Sequence, residues 1–108
     1  MNFENLLKRI MDSDVNIRHS IVTDLEGSIL TTSHREAITN YLSQEETEAS
    51  LRRAAIAWKG RKELSPKIGK GLYAVAAFEK ITRITFPLGE ENLIFVSMGS
   101  DAVRMDLH

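Results

Sequence analysis

The segment Leu93 to Met98 reads LIFVSM, and only its serine is polar. Successive side chains of a strand point to opposite faces of a sheet. Leu93 and Phe95 therefore take one face, and Ile94, Val96 and Met98 the other. Leu72 to Phe78 behaves in the same way, with Tyr73, Val75 and Ala77 on one face and Leu72, Ala74, Ala76 and Phe78 on the other. A sheet with one wet face alternates apolar with polar residues. Here both faces are greasy, so both must be covered. Ile81 to Phe86 supplies a third run between these two. Glu79-Lys80 and Pro87 to Asn92 are short connections, and the three runs read as an antiparallel meander.

The covering layers are readable upstream. Phe3, Leu6, Leu7, Ile10 and Met11 follow the i, i+3, i+4, i+7, i+8 spacing of one helical stripe. Asp12-Ser13-Asp14 ends that helix, because such side chains compete for backbone hydrogen bonds. Ser43 and Glu46 have the S-x-x-E spacing of a capping box, which predicts a long helix over Gln44 to Lys62. Acids occupy its first turn and bases its later turns, as the helix dipole favours. Leu51, Ala54, Ala55 and Trp58 form its buried stripe.

Between the helices, Ile17 to Thr23 and Ser28 to Thr32 flank the turn Asp24-Leu25-Glu26-Gly27 and read as a hairpin. Gly27 is suited to a positive φ at the end of that loop. Ser33 to Asn40 reads as irregular, and Pro66 and Gly69 to Gly71 mark a loop. The tail Ser100 to His108 either adds one or two helical turns, with Val103 and Leu107 inward, or frays. The expected fold is a single α+β domain over residues 1–108. It has a five-stranded antiparallel sheet with helices on both faces, in the order α-β-β-α-β-β-β-(α).

Composition narrows the chemistry. There is no cysteine, which excludes disulfides, thiolate metal sites and thiol nucleophiles together. The net charge of -1 gives no global attraction to nucleic acid or anionic lipid. No apolar run reaches the roughly 18 residues of a membrane span. The amphipathic N-terminus carries an early acid, unlike a signal peptide, so a cytoplasmic location is expected. His19, His34 and His108 lack metal-ligand spacing, and no triad or poised acid/base pair is visible. No catalytic residue, metal or cofactor is expected, and the chain reads as a non-enzyme.

Three features invite a binding role. The strand Gly71 to Phe78 carries no charge between its ends, and its alanines leave a low surface. At a sheet edge it lacks the usual protection against pairing, and a second copy of the chain would complete it. In the middle of a sheet it is simply paired. Lys67-Ile68-Gly69-Lys70-Gly71 lacks the spacing of a P-loop and precedes a strand rather than a helix. Its glycines and lysines suit a looser anion loop. Arg35, Lys67, Lys70 and Arg83 are the candidate anion-binding residues of a PAS- or profilin-like sensor. Lys59 to Lys70 holds five Lys/Arg residues and one Glu near Trp58 and Tyr73, a pattern open to nucleic-acid backbone. The slightly acidic chain and the common meaning of such runs, a solvated helix end, weigh against that reading.

The element order and the D-L-E-G hairpin at Asp24 to Gly27 resemble the roadblock/dynein-light-chain superfamily, a branch of the profilin-like folds, over nearly the whole chain. Further blocks are similar to a small family of single-domain proteins from ammonia-oxidising archaea. They are Arg35-Glu36, Leu42 to Thr47 (LSQEET), Lys67 to Gly71 (KIGKG) and Glu79 to Leu88 (EKITRITFPL). The first hairpin and the tail depart from that pattern. The archaeal family implies no activity. The roadblock resemblance implies a homodimer made by pairing long helices and third strands into one continuous sheet. It also implies a partner such as a small Ras-like GTPase, or a scaffold role. Carried onto this sequence, it implies a dimer surface of Leu51, Ala55, Trp58, Leu72, Tyr73, Ala74, Val75 and Ala76.

Overall fold

The computed structural model describes residues 2–36 and 38–99. The expected tail helix lies outside them. The elements are α1 (Phe3–Ser13), β1 (Ile17–Asp24), β2 (Ile29–His34), α2 (Gln44–Lys62), α3 (Ser65–Ile68), β3 (Ala74–Ala77), β4 (Ile81–Leu88) and β5 (Asn92–Gly99). The five strands form one antiparallel sheet in the order β2-β1-β5-β4-β3. β5 is central, and Leu93 to Met98 are all buried.

Each face has its own cover. Leu7 and Met11 of α1 pack with Ile17, Val22, Ile94, Val96 and Met98. Leu51, Ala55 and Trp58 of α2 pack with Ile21, Leu93 and Phe95. The α+β fold with helices on both faces is therefore as the sequence indicates. Ile17 departs from the alternation of β1. A register shift between Ile17 and His19 turns Ile17 to the α1 face, and Arg18 and His19 border a cleft on the α2 side.

The helix ends are set locally. Asn2 caps α1, its side chain accepting from the Asn5 amide. The Ser43 hydroxyl accepts from the Glu46 amide, and the Glu46 carboxylate accepts from the Ser43 amide at 2.9 Å, completing the capping box. The Ser43 amide, followed by its hydroxyl, holds the Glu46 carboxyl below its usual range. No base lies in the last turn of α1. Arg35, arriving from the end of β2, supplies one. Its guanidinium donates to the carbonyls of Met11, Asp14 and Ile17 at 2.8 to 3.2 Å. Those carbonyls include ones that a helix end leaves without partners.

Two elements differ from expectation. Ser65 to Ile68 is a single helical turn with Pro66 near its start, where a missing amide costs little. β3 spans four residues rather than seven, because Leu72, Tyr73 and Phe78 stay outside the ladder. Pro87 lies within β4 but beyond the last β3 pair, Ala74 with Thr85, where β4 has only β5 beside it.

The β1–β2 turn is tied to α2. Asp24 Oδ1 accepts from the amides of Glu26 and Ser28, both at 2.9 Å, and Gly27 sits at φ +86°. A Cβ on Gly27 would lie 2.8 Å from the Leu51 carbonyl oxygen and from the Arg52 Cα. Gly89 also has positive φ, but open space surrounds it. Gly27→Ala should therefore cost clearly more than the ~1–2 kcal/mol of left-handed strain expected for Gly89→Ala. Urea unfolding of the two variants measures the difference; equal losses would mean that the turn does not touch the helix.

Candidate functional site

Among the described residues, β3 is the outermost strand, hydrogen-bonded to β4 alone. Its flanks are apolar and exposed: Leu72 is 75% exposed, Tyr73 62%, Val75 54% and Phe78 60%. Tyr73 leans on Phe86, with ring centroids 6.2 Å apart. Val75 pairs with Ile84, on the face that α1 covers further along. Ala74 and Ala76 pair with Thr85 and Arg83, on the α2 face, and are half-buried. No lysine or proline lies within the strand. An edge of this kind presents free amides and carbonyls to any strand that approaches.

Leu51, Ala55 and Trp58 do not lie on a surface. They are 0%, 1% and 4% exposed and face the sheet, which corrects their place in the expected dimer surface. A residue cannot contact a partner through a side chain already enclosed by its own core. Between them, the outward side of α2 shows Ile56, 69% exposed, beside exposed Arg52, Arg53 and Lys59.

The expected anion set does not converge. Arg35 is engaged with carbonyls at the end of α1. Lys67 and Lys70 are exposed on α3 and the loop after it, and neighbouring Gly71 lies near the Trp58 ring. Arg83 donates to the Ser50 hydroxyl at 2.6 Å, about two helical turns from Trp58 along α2. These positions belong to different faces and ends of the molecule.

Arg83 instead joins a row that the sequence conceals. Cross-strand register aligns His34 with His19, His19 with Ser97, and Ser97 with Arg83. The row crosses β2, β1, β5 and β4 on the α2 face and borders a cleft of about 430 Å³. Tyr41 hangs over the mouth between Arg18 and Lys80, with these cations 4.8 and 5.1 Å from its ring centre. Arg18 also donates to the Thr39 carbonyl. Arg83 lies 5.6 Å from the Phe95 ring centre. Among the described residues, the Ser97 hydroxyl, 2% exposed by residue, has no hydrogen-bond partner. Among the described residues, no Asp or Glu lines this cleft, and no acid forms an ion pair with Arg83. Burial, with Arg53 second, pulls the Arg83 guanidinium below its ordinary range. Burial, then Arg18, His34 and Arg83, hold the His19 imidazole below its ordinary value of about 6.5.

Chemically, the cleft offers cations and hydrogen-bond donors. Among the described residues, no three His, Asp or Glu side chains gather as a metal set. No described helix is long and apolar enough to cross a membrane.

Two predictions separate structure from binding here. Arg35→Met should lose about 2 kcal/mol of stability by urea unfolding, as one charge-assisted donor group is removed from buried carbonyls, whereas Lys67→Ala and Lys70→Ala should leave stability unchanged. For His19, the folded chain holds fewer protons than the unfolded chain between the lowered value and about 6.5. Its contribution is complete above about 6.5 and is lost as pH falls through the folded value. Stability should decline on acidification through that window, and His19→Gln should flatten the decline; an unchanged slope in the variant would assign it to other groups.

No protein-family model matches the chain, and no curated protein sequence does. Solved structures do. Gliding protein MglB from Thermus thermophilus superposes with a TM-score of 0.74 at 13% identity, over 91% of this chain and 71% of that one. MglB in a tetrameric arrangement gives 0.75 at 12% identity, over 94% and 73%. A roadblock/LC7 domain from Streptomyces avermitilis gives 0.68 at 9% identity, over 89% and 77%. The sheet order, the two helical covers and these superpositions together give the chain the roadblock/LC7 fold.

Proposed function

We propose that this chain is a non-enzymatic interaction module that works as a homodimer and engages a further protein partner, with a small Ras-like GTPase as the class to test first. The observation that carries the reading is the short, uncharged β3 edge, flanked by exposed Leu72, Tyr73, Val75 and Phe78. Antiparallel pairing of β3 with its own copy about a two-fold axis satisfies the free backbone groups of both strands at once. Ala74 and Ala76 leave low relief beside α2, which suits the close approach of a second helix. The exposed side of α2, with Ile56, Arg52 and Arg53, would continue that contact. Assembly of MglB into a tetrameric arrangement on the same fold supports association of copies. The GTPase reading rests on the resemblance to roadblock domains.

An open depression of about 940 Å³ lies between the first half of α2 and the β3–β4 turn. Glu45, Glu48, Arg52, Arg53, Phe78 and Lys80 border it, a mixed apolar and charged lining suited to a protein partner.

Light scattering at micromolar concentration should give twice the chain mass. Val75→Lys, at a half-exposed edge position, should give the monomer mass with an unchanged far-ultraviolet circular dichroism spectrum. A monomeric unsubstituted chain would overturn the dimer. Binding of the dimer to Ras-like GTPases from the same genome, loaded with GDP or a GTP analogue, tests the partner; equal failure in both nucleotide states across the set would remove it.

A further inference from the structure

The basic cleft on the α2 face is distinct from the β3 edge, although its Arg83 pairs with Ala76 of β3. We infer that it is a binding site for a small molecule with one oxyanionic head, a carboxylate or a phosphate, and an apolar body. The head would sit on the transverse row of His34, His19 and Arg83, with Arg18 beside it. Five observations converge on this site.

The first is charge. Two arginines border one cleft, two imidazoles beside them can donate hydrogen bonds, and no acid lines it among the described residues. Like charges gathered on a sheet face oppose one another unless something neutralises them. Arg83, half-buried, has a serine hydroxyl and an aromatic face as its described neighbours rather than a carboxylate. The second is the unpartnered Ser97 hydroxyl on the cleft floor, in register with both His19 and Arg83. A buried hydroxyl left without a partner costs free energy. A ligand oxygen that draws His19 or Arg83 aside would open it as a donor.

The third is the helix above. Gln44 and Thr47, in the first turn of α2, line the cleft and bring an amide and a hydroxyl to its wall. The fourth is shape. The adjoining row is Thr32, Ile21, Phe95 and Thr85, and Ile21, Ile29 and Phe95 all line the cleft. Polar groups at one end and apolar walls at the other orient a ligand with a charged head and a greasy body. A volume near 430 Å³ falls within the range of small-molecule sites. The fifth is access. His34 and Thr32 are exposed at the mouth on β2, the sheet edge opposite β3, and exposed Tyr41 and Leu42 close its other side toward the β3–β4 turn. A dimer formed through β3 leaves the β2 side of the mouth open, and the site is read at His19, His34 and Ser97 whereas the dimer is read by mass, so the two are tested separately.

The test is a chemical-shift titration of the isotopically labelled full chain at fixed pH and ionic strength. The probes are phenyl phosphate, benzoate and inorganic phosphate, with chloride as the control. Saturable shifts at His19, His34 and Ser97 are expected with phenyl phosphate or benzoate, and whichever saturates at lower concentration identifies the head group. The phenyl-bearing probes should bind about tenfold more tightly than the bare ion, as burial of an apolar body would give. Arg83→Gln should weaken binding at least tenfold, and Arg83→Lys should restore part of it. Should Arg83→Gln fail to fold, His34→Gln at the exposed end should still weaken binding several-fold without lowering Tm. Shifts that never saturate, that match those with chloride, or that centre on Lys67 and Lys70 would overturn the site.

Discussion

Everything in this molecule is arranged around β5. It lies between β1 and β4, and no side chain from Leu93 to Met98 is more than 9% exposed. A central strand that is apolar on both faces cannot remain half-wet, because each uncovered face would leave several large side chains in water at roughly 1.5–3 kcal/mol apiece. α1 answers one face and α2 the other. The hairpin β1–β2 and the strand β4 are held in place because they flank this strand. The edge strand β3, two positions away, receives the least from it.

The α2 face of the sheet is not uniform. Beneath Leu51, Ala55 and Trp58 the rows are apolar and the helix seats closely. Beneath the start of α2 the row changes to His34, His19, Ser97 and Arg83. Charged and imidazole groups resist the desolvation that close helix packing would impose. The helix therefore leaves a cleft where it crosses that row. The remaining unfulfilled surface is the β3 edge, at the other side of the sheet from the β2 side of the cleft mouth. The cleft and the depression beside the β3–β4 turn adjoin, sharing Tyr41, Leu42, Ile81 and Arg83 as lining.

Features fixed by neighbours in the chain could be read directly. Ser43 and Glu46 bracket the start of α2, and its observed first residue, Gln44, is the one their spacing implies. Asp24 and Gly27 close the hairpin through contacts within five residues. The period of the apolar stripe in α1 identified Leu7 and Met11 as buried. Other features needed distant partners. Arg35 looked like a free cation, yet it serves carbonyls at residues 11, 14 and 17. Leu51, Ala55 and Trp58 carry the same apolar signal whether they face the sheet or a second copy, and only the packing shows that they face the sheet. The cleft was missed because its members stand at 18, 19, 34, 83 and 97. Local alternation would have placed Ile17 beside His19, and the shift in register between them prevents it.

The sequence by itself determined the two longer helices, the first hairpin and the last two strands, and that the sheet needed two covers, since periodicity, caps and turns act over a few residues. The tertiary structure alone decided that β3 ends the sheet and that two arginines and two histidines meet beside one unpartnered serine. Both depend on cross-strand order and register, which are set by the packing of segments tens of residues apart.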